Sequence, residues 1–317
     1  MARGPTSRRP RSNLTVIVPA TGRPLTLGRC LAEIQAAEEP PEELIVIDKP
    51  AEDGPAAARN AGAQLAEGDV LVFVDADVLV HRDAFRRIRD AFHADPSLTA
   101  IFGSYDDDPE ARDLISSFRN LLHHHVHQEG AGPATTFWAG LGAIRRDAFE
   151  EAGGFDACRY LVPSVEDVEL GLRVSGTGGR IRLDPELQGK HLKSWTLVEM
   201  LRTDFARRGV PWAELMLEQR ATSTALNLGW RHRLTATAAL IVAGATLARR
   251  PRTAALALGA MLMLNRPFYA LLARKRGSAA AAGGVALHAM HHLAGAAAVP
   301  TAAARYVSVA IERRCRR

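Results

Sequence analysis

Cysteine is scarce in this chain. Cys30, Cys158 and Cys315 stand far apart with no CxxC among them, which excludes a disulfide scaffold and a zinc-ribbon module. Aromatic residues make up only 6%. No apolar stretch of signal-peptide length follows the first arginines, because Leu14–Val18 is short and runs into Pro19. The amino end is therefore expected to remain in the cytoplasm. Acidic residues are almost missing from the tail: residues 233–317 carry 13 Arg or Lys against Glu312 alone, a net of +12. Residues 13–232 hold −11, and Arg3, Arg8, Arg9 and Arg11 add four positive charges at the start. The overall +5 is thus the sum of a basic arm, an acidic body and a basic tail. An acidic body repels phosphate backbones, which proteins bind by Lys and Arg neutralisation, so the reading has no nucleic-acid partner.

What the sequence does contain is enough apolar residue, 47% of 317, to offset chain ordering and to fill two domains. Leu14–Val18, Glu43–Asp48 and Val70–Val74 are continuous apolar runs, as expected of strands buried on both faces. Helical patterns lie between them, through Leu27, Leu31 and Ile34 and over Ala56–Ala66, with a further one at 83–93 before a short strand near Thr99–Gly103. This alternation predicts an α/β fold with a mostly parallel sheet flanked by helices. Residues 104–136 have poor periodicity and an odd content, including His123, His124, His125 and His127, and read as an acceptor-side loop. A Gly-containing strand is expected over Thr136–Ile144, then a short helix to Ala152 and another running from Ser164 to Gly176. A short strand is expected at 180–183, with His191 in the segment after it.

The carboxyl-terminal third changes character. From 196 to 220 apolar residues and arginines interleave (Arg202, Arg207, Arg208, Trp212), as in an interfacial helix or one packed on the body. Leu234–Ala248, Thr253–Leu264 and Gly277–Leu287 carry no charge, yet each is shorter than the roughly 20 residues of an upright membrane span. Basic clusters separate them. The expectation is helices in or against a membrane, with a soluble Ala-rich bundle as the alternative. The resulting division is a disordered basic arm (1–12), a catalytic domain (13–195), interfacial helices (196–232) and Ala-rich membrane-associated or spanning helices (233–317).

Chemistry concentrates at strand ends, where ligands bind in open α/β sheets. Thr21 follows the first strand, Asp48 ends the second, and Asp75 and Asp77 follow the third. Two carboxylates at i and i+2 suit Mg2+ or Mn2+, hard ions that leave positions open for phosphate oxygens. An ordinary turn or helix cap produces the same pair. Order and spacing from residue 13 to 195 then resemble the family 2 glycosyltransferases of the GT-A, nucleotide-sugar-binding fold. The resemblance rests on Val16-Ile-Val-Pro19, Ile45-Val-Ile-Asp48, Gly54-Pro-Ala-Ala-Ala-Arg-Asn-Ala-Gly62, Phe73-Val-Asp-Ala-Asp77, Trp138-Ala-Gly-Leu-Gly142, Gly153-Gly-Phe-Asp156, Val165-Glu-Asp167 and His191.

The resemblance implies a metal-dependent, inverting transfer of sugar from a nucleotide-diphosphate sugar to a hydroxyl acceptor; the basic, apolar tail adds the expectation of a lipid-linked or cell-envelope glycan acceptor and of a place at the cytoplasmic face of the inner membrane. It implies Asp77 and His191 as ligands of Mn2+ or Mg2+. Asp167 becomes the general base, with Glu166 beside it in the catalytic pair. Pro19, Thr21, Asp48, Arg59, Asp75 and Gly140 fall on the nucleotide-sugar side. Each has a plainer reading: Asp167 as the acid of a capping box with Ser164, His191 at the surface, Asp48 in a turn, Arg59 solvated. One departure is clear, since Lys49-Pro50 replaces the second acid and Gly-Ser that often follow the position of Asp48. Outside that family, Asp-x-Asp after an apolar strand also suits a haloacid-dehalogenase-like phosphatase, though there it belongs on the first strand. A non-catalytic membrane scaffold is the third class.

Overall fold

The computed structural model describes residues 12–48, 53–219 and 229–315. The first eleven residues of the basic arm and Lys49-Pro50 lie outside these described residues. The apolar runs form the centre of the sheet. In β1 (Leu14–Pro19) and β3 (Val70–Val74) every residue is buried. Because successive side chains point to opposite faces, Leu14, Val16, Val18, Val70, Val72 and Val74 enter one core layer. That layer is closed by α1 (Leu27–Gln35) and α3 (Ala84–Ala94) through Ile34, Phe85 and Ile88. Ile17, Leu71 and Phe73 enter the other, beneath α2 (Gly54–Leu65), α5 (Arg146–Glu151) and α6 (Glu166–Gly176). β2 (Glu43–Ile47) is only half-buried despite its apolar run, because it is the edge strand.

The remaining strands are β4 (Val78–Val80), β5 (Leu98–Tyr105), β6 (Gly132–Ala134), β7 (Leu141–Arg145) and β8 (Arg180–His191), and the order is β2-β1-β3-β7-β5-β8-β4 with β6 beside β8. The sheet is more mixed than the alternating pattern predicts. β2, β1 and β3 are parallel, but β7 runs antiparallel to both β3 and β5, and β4 runs antiparallel to β8. The strand expected over 136–144 begins only at Leu141, and residues 136–140 form a loop over the ends of β3 and β5. The strand expected at 180–183 continues to His191, after register shifts against β5 that break its pattern. In the β4–β8 pairing His191 faces Val78, which brings it beside Asp77.

Residues 104–136 hold the largest correction. Instead of an acceptor-side loop they contain α4 (Leu114–Glu129), capped by the Asp113 carboxylate accepting from the Ile115 and Ser116 amides. Phe118, Leu121 and Leu122 of α4 pack against the carboxyl-terminal helices: α7 (Leu197–Arg202), α9 (Trp230–Leu247), α10 (Pro251–Leu264), α11 (Arg266–Arg276) and α12 (Ser278–Cys315). A π-helical segment, Thr203–Gly209, joins α7 to α8 (Val210–Gln219). Trp212 and Leu215 of α8 pack on Tyr160, Val165 and Val168 of the body. Among the described residues no single helix is long and apolar enough to cross a membrane; α10 and α11 together pass that length and composition test but meet at a 74° bend.

Candidate active site

A tight turn after β3 carries both acids. The Asp75 amide donates to Gly140 O (3.1 Å), and the Val78 amide donates to Asp75 O (2.9 Å). Arg59, buried on α2, donates to Asp75 Oδ1 at 2.6 Å and to Glu166 Oε1 at 3.0 Å. α2 can start where it does because Gly54 has φ +74°, and a Cβ there would meet the Leu161 carbonyl oxygen at 2.4 Å. Burial raises the Asp75 carboxyl above its ordinary range, with Asp77 adding to the rise against the pull of Arg59. Burial would lower the Arg59 guanidinium, but Asp75, Glu166 and Asp167 outweigh it and hold the charge more firmly.

The second oxygen of Glu166 accepts from the Ser164 amide at 2.8 Å. Glu166 is thus engaged at both ends and 4% exposed. Asp167 is different. Its Oδ2 accepts from the Ala139 amide (3.1 Å) and its Oδ1 from the Val168 amide (2.8 Å), yet it remains on the cavity wall. Burial, aided by the neighbouring Glu166 charge, pushes its carboxyl up to about 6. The capping box with Ser164 does not form: α6 begins at Glu166 after Val165, and the Ser164 hydroxyl donates to Arg207 O instead.

Across the cavity, His191 Nε2 lies 3.6 Å from Asp77 Oδ2. The His191 ring is 5% exposed, not superficial, and stacks on Tyr105 with centroids 4.0 Å apart. Burial would raise the Asp77 carboxyl, but the hydrogen bond and charge of His191, with Lys193, bring it below the ordinary range. These two donors fit a divalent ion. Ligand atoms each about 2.1 Å from one ion stand roughly 3.0 Å apart at an octahedral angle and roughly 3.4 Å at a tetrahedral one, close to the spacing here. No third His, Cys, Asp or Glu joins them among the described residues, so the remaining positions suit substrate oxygens.

Pro19, Thr21, Arg59, Asp75, Asp77, Glu166, Asp167 and His191 all line one cavity of about 1030 Å3. Asp48 and Gly140 do not. Asp48 is exposed and paired with Arg23 Nε at 2.6 Å. Gly140 lies beneath Trp138, whose indole a Cβ would meet at 2.4 Å. Sequence reasoning missed the other walls. From α4 come Arg119, His123 and His127, with burial lowering His127 to about 4 and His123 well below its ordinary value, so both are neutral imidazoles. From the far side come Lys193, Asp204, Arg207 and Arg208. The signals for α4 were the Asp113 cap and the spacing of Ile115, Phe118 and Leu122.

The strand order and the ligand-ready strand ends define a GT-A-type α/β fold carrying a helical carboxyl-terminal region. The chain aligns with a mannosyltransferase of Pyrobaculum calidifontis, PcManGT, solved in complex with GDP-Man and Mn2+, at 21% identity and a TM-score of 0.54 over 86% of both chains. Residues 42–153 match the family model for glycosyl transferase family 2. A 149-residue stretch is 28% identical to the pre-mycofactocin glycosyltransferase of two Mycobacterium tuberculosis strains, covering 45% of this chain and 31% of those proteins. The chain thus spans about a third of the length of these relatives. Over residues 42–153, about a third of its length, this chain is similar to the family 2 glycosyltransferases.

Proposed function

We propose that the protein transfers a sugar from a nucleotide-diphosphate sugar to a hydroxyl acceptor, with metal dependence and inversion at the anomeric carbon. The observation that carries this reading is the opposition of two acids in one cavity. Asp77, paired with His191, is held charged, whereas Asp167 is raised to about 6. Environments that push two carboxylates apart in this way assign them different roles. Asp77 and His191 would hold Mn2+ or Mg2+, and a bound ion supplies charge neutralisation for a leaving diphosphate. Asp167 accepts the acceptor's hydroxyl proton, at a pKa suited to a base near neutrality. Attack from the face opposite the leaving group gives single displacement and hence inversion. Arg59 positions Asp75 and Glu166, and Glu166 keeps Asp167 raised. The GDP-Man and Mn2+ in the structurally similar PcManGT support testing GDP-sugars beside UDP-sugars.

We further propose that the carboxyl-terminal helices rest on the cytoplasmic face of the inner membrane. Leu247, Leu256 and Met263 of α9 and α10 are exposed beside Arg249, Arg250 and Arg252, which suits an apolar surface with anionic headgroups. The phosphatase alternative lacks its geometry, because the Asp-x-Asp pair follows the third strand and Arg59 occupies Asp75. The test is a screen of nucleotide-sugar turnover with and without Mn2+, on the full chain and its Asp167→Asn variant. Metal-dependent turnover that the variant loses while folding intact supports the reading. Absence of turnover with every donor leaves the scaffold class in its place.

A further inference from the structure

Beyond Asp167 the cavity continues as a limb whose chemistry differs from that of the donor side. Its floor is cationic. Arg119 of α4 is 8% exposed and its Nη1 forms an ion pair with Asp204 Oδ1 at 2.6 Å, while its Nη2 is buried without a hydrogen-bond partner. Asp204 is shared with His291 Nδ1 at 2.8 Å, and burial notwithstanding, Arg119 and His291 bring it down to about 2. That carboxylate cannot balance more cations than these. Arg207 and Arg208 of the π-helical segment line the same limb, and neither side chain forms an ion pair or hydrogen bond among the described residues. Arg208 is close enough to Asp167, Asp204 and Arg119 to influence the charge of all three.

The same cavity has an apolar lining as well, from Trp212, Met216 and Leu217 of α8 and from Ala296, Val299 and Ala303 of α12. Leu217 is 40% and Val299 57% exposed, so part of this apolar lining is open at the surface of the helical region. A water-soluble acceptor has no use for such a wall, and an apolar acceptor has no use for two unspent arginines.

We propose that this limb is the acceptor subsite and that it takes a phosphate-bearing amphiphile. The phosphate sits on Arg119 Nη2, Arg207 and Arg208, the chain lies between α8 and α12, and the accepting hydroxyl reaches Asp167. Guanidinium groups suit phosphate because their planar donors pair with two oxygens at once. This rests on the glycosyltransferase reading but concerns the acceptor alone.

The test is isothermal titration of the full chain with dodecyl phosphate below its micelle concentration, and with dodecyl maltoside, inorganic phosphate, and GDP or UDP with Mn2+ as separate arms. Arg207→Gln/Arg208→Gln is compared with Arg207→Lys/Arg208→Lys, which keeps the charge, after thermal melting shows both folded. Dodecyl phosphate is expected to bind more tightly than either inorganic phosphate or dodecyl maltoside. The Gln pair should weaken it at least tenfold, the Lys pair less, and nucleotide affinity should move less than threefold. Dodecyl phosphate binding that the Gln pair leaves unchanged, or that dodecyl maltoside equals, overturns the anion cradle. Equal binding of inorganic phosphate overturns the amphiphile, and an equal loss of nucleotide binding assigns the arginines to the donor. Nucleotide binding without dodecyl phosphate binding defeats this proposal alone; no nucleotide binding at all defeats the donor reading beneath it.

Discussion

In the α/β body, β1 and β3 leave no residue exposed, whereas in the carboxyl-terminal helices Leu247, Leu256 and Met263 are 86%, 77% and 81% exposed. The two regions use apolar residues for different ends. In the body they are consumed by two core layers, and the polar residues left at the strand ends are locked by short contacts such as Arg59 with Asp75 and Glu166. In the tail a part is spent against α4, through Phe268, Leu271 and Leu272 on Phe118, Leu121 and Leu122. The rest faces outward. The tail is therefore both a wall of the cavity and a holder of exposed apolar side chains, and it carries +12 against the body's −11.

This contrast can be broken at several points. Asp167→Asn removes the base and should lower turnover by about 10²–10⁴-fold with nucleotide binding retained, measured by steady-state kinetics. Phe268→Ala opens the contact between tail and α4, where Phe268 packs edge-on against Phe118 at 5.6 Å. It should cost about 3–5 kcal/mol of stability, read by thermal or denaturant unfolding, and loosen the cavity wall that α4 carries. The triple change Leu247→Ser/Leu256→Ser/Met263→Ser should leave the melt nearly unaltered and shift the protein from anionic vesicles to solution by about tenfold or more. If the same change instead unfolds the protein, the outward face is core and the contrast fails. The smallest effect is in pH. Asp167 must be charged to accept a proton, so turnover should fall about tenfold per unit below pH about 6 and level off above it. The raised value means the fold favours the protonated acid, so its contribution to stability is present below the unfolded value and lost as pH rises through about 6. Asp167→Asn should accordingly melt slightly higher than the native protein above that pH.

Much of the body was legible from the chain. Buried central strands write continuous apolar runs, and acids at their ends mark the ligand side, so β1, β3, Asp75 and Asp77 could be placed beforehand. Where the outcome depended on partners distant in sequence, the reading faltered. β8 extends to His191 because it pairs with β5, β6 and β4 in turn, with shifts that no local pattern reveals. α4 was hidden because its four histidines mask the spacing of Ile115, Phe118 and Leu122, and because its apolar face is matched by helices far along the chain. Glu166 stood beside the expected base Asp167 in the catalytic pair, and Arg59 and the Ser164 amide, which occupy both its oxygens, are distant or unmarked in the sequence. Gly140 had the right type for close approach to substrate, but what approaches it is Trp138.

The central claim is that Asp77 and His191 form the metal-holding end of a nucleotide-sugar site. Isothermal titration of the full chain with GDP and with UDP, in Mn2+ and in chelator, repeated on Asp77→Ala, tests it most directly. The account predicts binding of one nucleotide that requires Mn2+ and is lost in the variant; binding indifferent to both Mn2+ and Asp77, or no binding of either nucleotide, would contradict it.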